Sequence, residues 1–222
     1  MDVGRQEEQV VVEKKGKKKP RVLCLHGFRT SGAIMNKQIH KWPDSLVDKF
    51  DLVFLDAPFP AEGKSDVEHI FPPPYYEWFQ FNEKFTEYRN FDECLAYIED
   101  FMVENGPFDG FMGFSQGAIL SAALPGLQAK GYCLKKVPKI QFVVIISGAK
   151  FAKADVAELA YSTKIDRPSI HFLGETDFLR PHGEVLLECY ENPKIIRHPV
   201  GHTVPRLDEK AQKVMLDFIE SI

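Results

Sequence analysis

Residues Phe108-Asp-Gly-Phe-Met-Gly-Phe-Ser-Gln-Gly-Ala-Ile-Leu120 pass from an apolar segment into a small-residue segment through Gly113-Phe-Ser115-Gln-Gly117. The first segment predicts a buried strand, and residues 116–130 predict a helix with a kink or break at Pro125. Glycine two residues before and after the serine permits a sharp strand-to-helix turn, where larger side chains would collide. We therefore expect Ser115 to be a nucleophile at a helix N-terminus, where N–H groups and the helix dipole favour a developing oxyanion.

Short apolar runs alternate with helical patterns on both sides of this turn. Strands are predicted at 22–26, 52–55, 141–146, 169–173 and 194–196, and helices at 33–48, 91–104 and about 207–219. Because these apolar runs show no inside–outside alternation, the strands are expected to be buried on both faces. The pattern predicts an α/β, three-layer fold with a mostly parallel central sheet and helices on both faces.

Composition narrows the class of protein. The chain has 222 residues, with 28 Lys and Arg against 32 Asp and Glu, which gives no electrostatic footprint for a nucleic acid partner. Four widely spaced cysteines predict neither a disulfide framework nor a zinc site, and no HExxH motif indicates a metal. No cofactor and no metal are therefore expected. The sequence leaves the oligomeric state open.

The organisation of the chain follows from the same patterns. Residues 1–19 are polar and charged and are predicted to be a flexible tail, and residues 20–222 a single domain with an aromatic and Pro-rich insert at about 57–90. No apolar run reaches 18 residues and no signal-peptide pattern begins the chain, so we expect a soluble cytoplasmic protein without a membrane span. The basic run Lys14–Lys19 is compatible with a nuclear localisation signal, although a solvated tail is the simpler interpretation.

A serine nucleophile needs a general base, and the base needs a partner that fixes its tautomer. After a serine on such a turn, the acid and then the histidine follow along the chain. The tight loop after the strand at 169–173 ends in Asp177, our predicted acid, with Glu175 as its rival. Asp155 and Asp166 are less well placed, because neither directly follows a strand.

The predicted base is His202, which follows Gly201 in the loop between the last strand and the last helix. From such a loop an imidazole can reach the carboxyl edge of the sheet. His182 is interpreted as a surface residue, and His198 as a residue packed on or beside a strand. His171 lies in the middle of a predicted strand and is interpreted as a buried structural histidine.

Two backbone N–H groups are candidates for binding the oxyanion. Gln116 directly follows the serine, and Phe28 lies in the loop after the first strand. His26, in the same loop, is interpreted as a bracing residue, because a base at that position would reverse the expected chain order.

The insert is unusually aromatic, with nine aromatic residues within 71–91. One hypothesis is that part of it forms an apolar acyl pocket or lid over Ser115, with Trp78, Phe79 and Tyr76 as candidate lining residues. An equally weighted alternative is that these rings form a satellite core beneath a long loop.

Six motifs in this order resemble the FSH family of serine hydrolases, in particular its branch of small eukaryotic esterases related to the ovarian-cancer-associated gene product. The resemblance covers about residues 20–220. The motifs are Leu25-His-Gly-Phe-Arg-Thr-Ser-Gly32, Asp56-Ala-Pro58, Tyr76-Glu-Trp-Phe79, Gly113-Phe-Ser-Gln-Gly-Ala118, Gly174-Glu-Thr-Asp177 and Gly201-His-Thr-Val-Pro205.

This resemblance implies an α/β-hydrolase fold and hydrolysis of carboxylic esters by a triad matching Ser115, Asp177 and His202. It also implies small-molecule esters with medium to long alkyl acyl chains as substrates. The family commonly has Gly-Gly-His, whereas Val200 precedes Gly201 here, so a side chain at 200 is expected to narrow the approach to the base.

Two other functions fit the motifs. The sequence Gly-Phe-Ser-Gln-Gly also resembles that of acyl-protein thioesterases, and the same machinery attacks a thioester. A small-molecule receptor with little turnover is the third hypothesis, although a complete triad disfavours it.

Overall fold

The computed structural model describes residues 18–222. The predicted tail falls outside this range except for Lys18 and Lys19, and most of the basic run Lys14–Lys19 does as well. Within the range the strands are β1 (Arg21–Leu25), β2 (Asp51–Leu55), β3 (Phe59–Pro60), β4 (Tyr76–Glu77), β5 (Gln80–Phe81), β6 (Tyr88–Arg89), β7 (Gly110–Phe114), β8 (Phe142–Ile146), β9 (Ser169–Gly174) and β10 (Lys194–His198). The helices are α1 (Gly32–Ile39), α2 (Asp44–Val47), α3 (Phe91–Asn105), α4 (Gln116–Ala129), α5 (Ala154–Tyr161), α6 (Arg180–Leu187) and α7 (Glu209–Ser221).

Six strands form the central sheet in the order β10-β9-β8-β7-β1-β2, and every neighbouring pair in it is parallel. In a parallel sheet all carboxyl ends meet at one edge, where ligands of such sheets bind. The loops that follow β1, β7, β9 and β10 therefore converge on a single edge, even though they are far apart in the sequence.

Successive side chains of the central strands point into two separate cores. In β1, Leu23 and Leu25 join the core under α3, α4, α5 and α6, whereas Val22 and Cys24 join the core under α1, α2 and α7. Each fully buried large apolar side chain contributes about 1.5–3 kcal/mol. Strands that are apolar on both faces are thus held between two helical layers, which confirms the predicted three-layer α/β fold.

Two helix predictions need correction. The helix expected at 33–48 is two helices, because Pro43 cannot continue α1 and disfavours helical geometry at the preceding Trp42. A break at Pro125 is also wrong, since α4 continues through it to Ala129. Burial of Leu124 and Leu127 on either side supplies the packing that offsets the cost of about 3 kcal/mol for an interior proline.

The insert at 57–90 is more regular than its sequence suggested. It contains two short antiparallel pairs, β3 with β4 and β5 with β6. Helix α5 was not predicted from the sequence either. None of the helices within residues 18–222 is long and apolar enough to cross a membrane.

Candidate active site

Ser115 lies on a strained turn between β7 and α4. Its backbone has φ 54° and ψ −118°, and its N–H donates to the Ile146 carbonyl at 3.1 Å. Holding a non-glycine residue there costs on the order of 1–3 kcal/mol. A Cβ at Gly113 would overlap the carbonyl of Gly117, and one at Gly117 would overlap the carbonyl of Leu25. Both glycines are therefore required by close backbone approach.

The structure brings Ser115, Asp177 and His202 together. Nε2 of His202 lies 2.9 Å from Oγ of Ser115, and its Nδ1 lies 3.0 Å from Oδ1 of Asp177. The same Oδ1 accepts the backbone N–H of Leu179 at 2.8 Å, and the carboxylate is buried. A carboxylate can only accept, so the network assigns the proton to Nδ1 and leaves Nε2 to accept the serine proton.

Two phenyl rings flank the imidazole of His202. The ring centroid of Phe114 lies 5.1 Å away and that of Phe178 lies 4.5 Å away. Phe178 is 70% exposed, while the side chain of His202 is 21% exposed. The imidazole of His202 is therefore in contact with two rings and remains partly open to solvent.

The rival acids lie elsewhere. Glu175 is exposed, and its backbone carbonyl accepts a hydrogen bond from Arg180. Asp155 pairs with Lys153 at 2.7 Å, an interaction that lowers the pKa of its carboxyl group, and Asp166 is exposed.

The remaining histidines after β8 occupy other environments. His182 is exposed on α6, and His198 is buried at the end of β10, where desolvation lowers its pKa. His171 is buried within β9 with Nε2 3.0 Å from Oγ of Ser169, and burial lowers its pKa to about 3.

The two predicted oxyanion donors flank Ser115. Gln116 is the first residue of α4, so its N–H has no acceptor within the helix. Phe28 follows Gly27 in the loop after β1, and a Cβ built on Gly27 would lie 3.4 Å from Cβ of Ser115. This loop therefore lies directly against Ser115.

His26 braces that loop. Its Nδ1 lies 2.8 Å from the Gly27 carbonyl, and its Nε2 accepts the backbone N–H of Ala57 at 3.0 Å. Burial lowers the pKa of His26 to about 4, which keeps the ring neutral. A neutral ring with both nitrogens engaged serves as a fixed link between two loops.

The candidate pocket residues are packed inward. Trp78 is fully buried, and its Nε1–H donates to the carbonyl of His26 at 2.8 Å. Phe79 is buried among the rings of Tyr88, Phe91 and Phe151, while Tyr76 is half-buried. These positions favour the core interpretation over pocket walls.

Sequence reasoning missed the side chain of Gln116. Its Oε1 accepts the backbone N–H of Trp78 at 3.1 Å, and its Nε2 donates to the carbonyl of Phe79 at 2.8 Å. No local pattern signals an amide that bonds to backbone 37 and 38 residues away.

One cleft of the protein, about 420 Å³ in volume, lies apart from this site. It is lined mainly by residues of α3 and α5, together with Tyr88, Leu127 and Tyr132, and by none of Ser115, Asp177 and His202. Within residues 18–222, no group of three or more His, Cys, Asp and Glu side chains is placed to hold a metal ion.

Comparison with known proteins gives a family match over most of the chain. The family model described as serine hydrolase (FSH1) matches residues 15–214. A Bos taurus protein named esterase OVCA2 is 29% identical over 90% of this chain and 95% of its own length. A Schizosaccharomyces pombe protein named dihydrofolate reductase is 31% identical over 84% of this chain, which spans 44% of that protein.

Among solved structures, the acyl-protein thioesterase 2 of Zea mays superimposes with a TM-score of 0.61. The superposition covers 93% of this chain and 95% of the thioesterase, at 18% sequence identity. At that identity the likeness concerns the fold.

Proposed function

This chain belongs to the serine hydrolase (FSH1) family, and we propose that it cleaves carboxylic esters with medium to long alkyl acyl chains through Ser115, Asp177 and His202. It is a carboxylesterase-type hydrolase by its family and by its esterase-named relatives. The observation that carries the assignment of residues is the unbroken hydrogen-bond chain from the serine hydroxyl to a buried carboxylate.

The reaction follows from that chain of contacts. Ser115 Oγ attacks the ester carbonyl carbon while Nε2 of His202 takes the serine proton. The tetrahedral oxyanion is bound by the N–H groups of Phe28 and Gln116. As it collapses, the imidazolium gives its proton to the departing alcohol and an acyl-enzyme remains. Water then attacks the acyl carbon, with His202 again as base, and the carboxylic acid and free Ser115 are restored.

Asp177 supports this cycle in two ways. Its Oδ1 holds the imidazole in the tautomer that leaves Nε2 free to accept a proton, and its negative charge stabilises the imidazolium. Because the side chain is buried, that charge is screened little by solvent.

An apolar acyl group is supported by an aromatic strip beside the nucleophile, which consists of Phe28, Phe81 and Phe85. Their ring centroids are 4.9 and 4.8 Å apart in succession. Phe85 is 49% exposed and the other two are half-buried, so the strip presents an apolar face to solvent. It begins at the residue whose N–H would bind the ester oxygen, where an alkyl chain could extend along it.

The test is hydrolysis of p-nitrophenyl esters of increasing acyl length by the wild type and by Ser115→Ala. We expect activity to disappear in Ser115→Ala and to persist in Ser121→Ala, a matched exchange of a buried serine on the same helix. Each methylene that the strip buries contributes about 0.8 kcal/mol, or roughly fourfold in kcat/KM, until the optimum length is reached. Wild-type activity that survives in Ser115→Ala contradicts the assignment.

The same assay set separates the other hypotheses. Paired oxyesters and thioesters of equal acyl length compare the two leaving groups on one enzyme. A preference for the thioester by more than tenfold would replace the ester assignment with a thioesterase. Tight ligand binding without acylation in a single turnover would indicate a receptor.

A further inference from the structure

We propose that residues 76–80 are a positioning segment for the oxyanion site, and that the Gln116 side chain joins this segment to the nucleophile turn. The proposal rests on the proposed function, since it concerns the N–H groups of Phe28 and Gln116. It assigns to the most aromatic part of the insert a role in holding those donors, in place of contact with the acyl chain.

Consecutive residues of this segment bind the oxyanion loop, residues 26–30. The N–H of Tyr76 donates to the Thr30 carbonyl at 2.7 Å. The indole N–H of Trp78 donates to the His26 carbonyl at 2.8 Å. These bonds hold the loop on both sides of Phe28, the residue that carries one donor.

Glu77 adds an ion pair between these two bonds. Its carboxylate is completely buried and accepts Nε of Arg29 at 2.7 Å, while the amide of Gln80 donates to its other oxygen at 2.9 Å. Arg29 directly follows Phe28 and has φ 53°, a conformation that a non-glycine residue keeps only when its surroundings impose it. The bond from the half-buried guanidinium of Arg29 to the buried carboxylate of Glu77 supplies that constraint.

The second donor is held by the same segment. The side-chain amide of Gln116 pairs with the backbone of Trp78 and Phe79 through one accepted and one donated hydrogen bond. Since the backbone N–H of Gln116 is the other proposed donor, one residue both binds the oxyanion and ties the turn to the segment. The spacing between the two donors is thereby fixed through residues 76–80.

Precise donor placement matters because oxyanion stabilisation depends on geometry. Removing one donor costs 10²–10³-fold in kcat, and a displacement of about 1 Å can cost about 10²-fold. A segment that only filled the core would support stability without setting this distance. The two roles therefore differ in what their loss does to transition-state binding.

The experiment compares Gln116→Met with Gln128→Met. Both glutamines lie on α4, and Gln128 likewise holds a loop, through the carbonyls of Leu134 and Pro138 and the N–H of Ile140. The Met side chain has similar length and no amide. For each variant we would measure kcat and KM for a p-nitrophenyl ester, and the inhibition constant of an alkyl trifluoromethyl ketone that forms an oxyanion adduct with Ser115.

We expect Gln116→Met to lower kcat by about 10- to 100-fold with KM within about twofold, and to raise the ketone inhibition constant by the same factor. Gln128→Met should leave kcat and ketone affinity unchanged, even where it lowers the melting temperature. A folded Gln116→Met enzyme with wild-type kcat and ketone affinity overturns the proposal. Equal losses in Gln128→Met do so as well.

Trp78→Phe provides a milder version, because it removes the indole bond to His26 and keeps an aromatic ring in the core. In Trp78→Phe we expect kcat and the affinity for the ketone to fall by about three- to tenfold. If Gln116→Met does not fold, this variant decides, and an unchanged affinity for the ketone overturns the proposal. The ketone adduct forms without turnover, so donor placement is measured separately from ester hydrolysis. Hydrolysis that survives in Ser115→Ala is a failure of the proposed function alone.

Discussion

Replacing Asp177 by asparagine should reduce kcat by less than replacing it by alanine, because of how the carboxylate is bonded. The His202 Nδ1 and the Leu179 N–H both bond to the same oxygen, Oδ1, at 3.0 and 2.8 Å. An asparagine that places its carbonyl oxygen at that position keeps both bonds and the tautomer of the ring. What Asp177→Asn removes is then the negative charge beside the imidazolium.

The size of that charge contribution can be worked out. Opposite charges about 4 Å apart interact with about 4 kcal/mol at an effective dielectric constant of about 20, which corresponds to about 10³-fold in rate. Because Asp177 is buried, solvent screening reduces this value little. Asp177→Ala also loses the hydrogen bond that fixes the tautomer, and kcat should fall further, by about 3 × 10⁴-fold.

The assay is kcat for one p-nitrophenyl ester, with Glu175→Gln as the matched control in the same loop. Glu175→Gln should stay within about twofold of the wild type, since its side chain is exposed. If Asp177→Asn and Asp177→Ala lose activity equally, the shared-oxygen argument is refuted. If Asp177→Asn keeps activity within tenfold while Glu175→Gln loses it, Glu175 is the acid.

Two further predictions concern stability and the alcohol side of the ester. Burial lowers the pKa of His171 to about 3 from 6.5, so the unfolded chain binds a proton at pH 5 that the folded chain does not, and stability falls as pH falls below 6.5. Between pH 7 and pH 5, the free energy of unfolding measured by chemical denaturation should fall by about 2 kcal/mol more in the wild type than in His171→Phe. Exchange of the exposed His182 should leave the pH dependence of the wild type unchanged. The leaving oxygen of the ester must reach Nε2 of His202, and the ring of Phe178 contacts that imidazole, so the alcohol group should lie against Phe178. Phe178→Ala should therefore lower kcat/KM for a benzyl ester about fivefold more than for the methyl ester of the same acid. Val103→Ala, an exposed apolar exchange on α3, is the control, and equal losses for both esters would contradict the placement of the alcohol.

Local patterns predicted the parts of this protein that depend on short-range physics. Apolar runs located the six sheet strands to within one or two residues, since a strand buried on both faces has few polar positions. Glycine at 113 and 117 predicted the turn at Ser115, because close backbone approach excludes a side chain at both positions. The chain order of acid and base pointed to Asp177 and His202, which the sheet brings to one edge.

What the sequence did not predict depends on contacts between distant segments. Helix α4 continues through Pro125 because the residues on either side of the proline are buried. The sequence of this segment shows only the local cost of a proline inside a helix. The aromatic richness of the insert was compatible with a pocket or a core. Trp78 and Phe79 are placed in the core by hydrogen bonds to His26 and Gln116. These bonds involve backbone groups, which every residue carries, so no residue pattern in the sequence indicates them.

The positions along the sheet edge suggest why the insert has this composition. The loops that carry the proposed acid and base follow β9 and β10 on one side of Ser115, and the loop that carries the proposed oxyanion donor Phe28 follows β1 on the other side. Both sides take support from other segments: the indole N–H of Trp42 donates to the Pro205 carbonyl in the His202 loop at 2.9 Å, and the loop after β1, where Arg29 keeps φ 53° beside a proposed donor, needs support as well. Residues 76–80 give that support from within the core, and Phe81 and Phe85 continue outward from it as an apolar surface. One aromatic segment can therefore hold the proposed donors at its buried end and contact the acyl chain at its exposed end. For this reason Phe85→Ala should shorten the preferred acyl chain of the substrate. It should not change the affinity for the trifluoromethyl ketone with the shortest alkyl group.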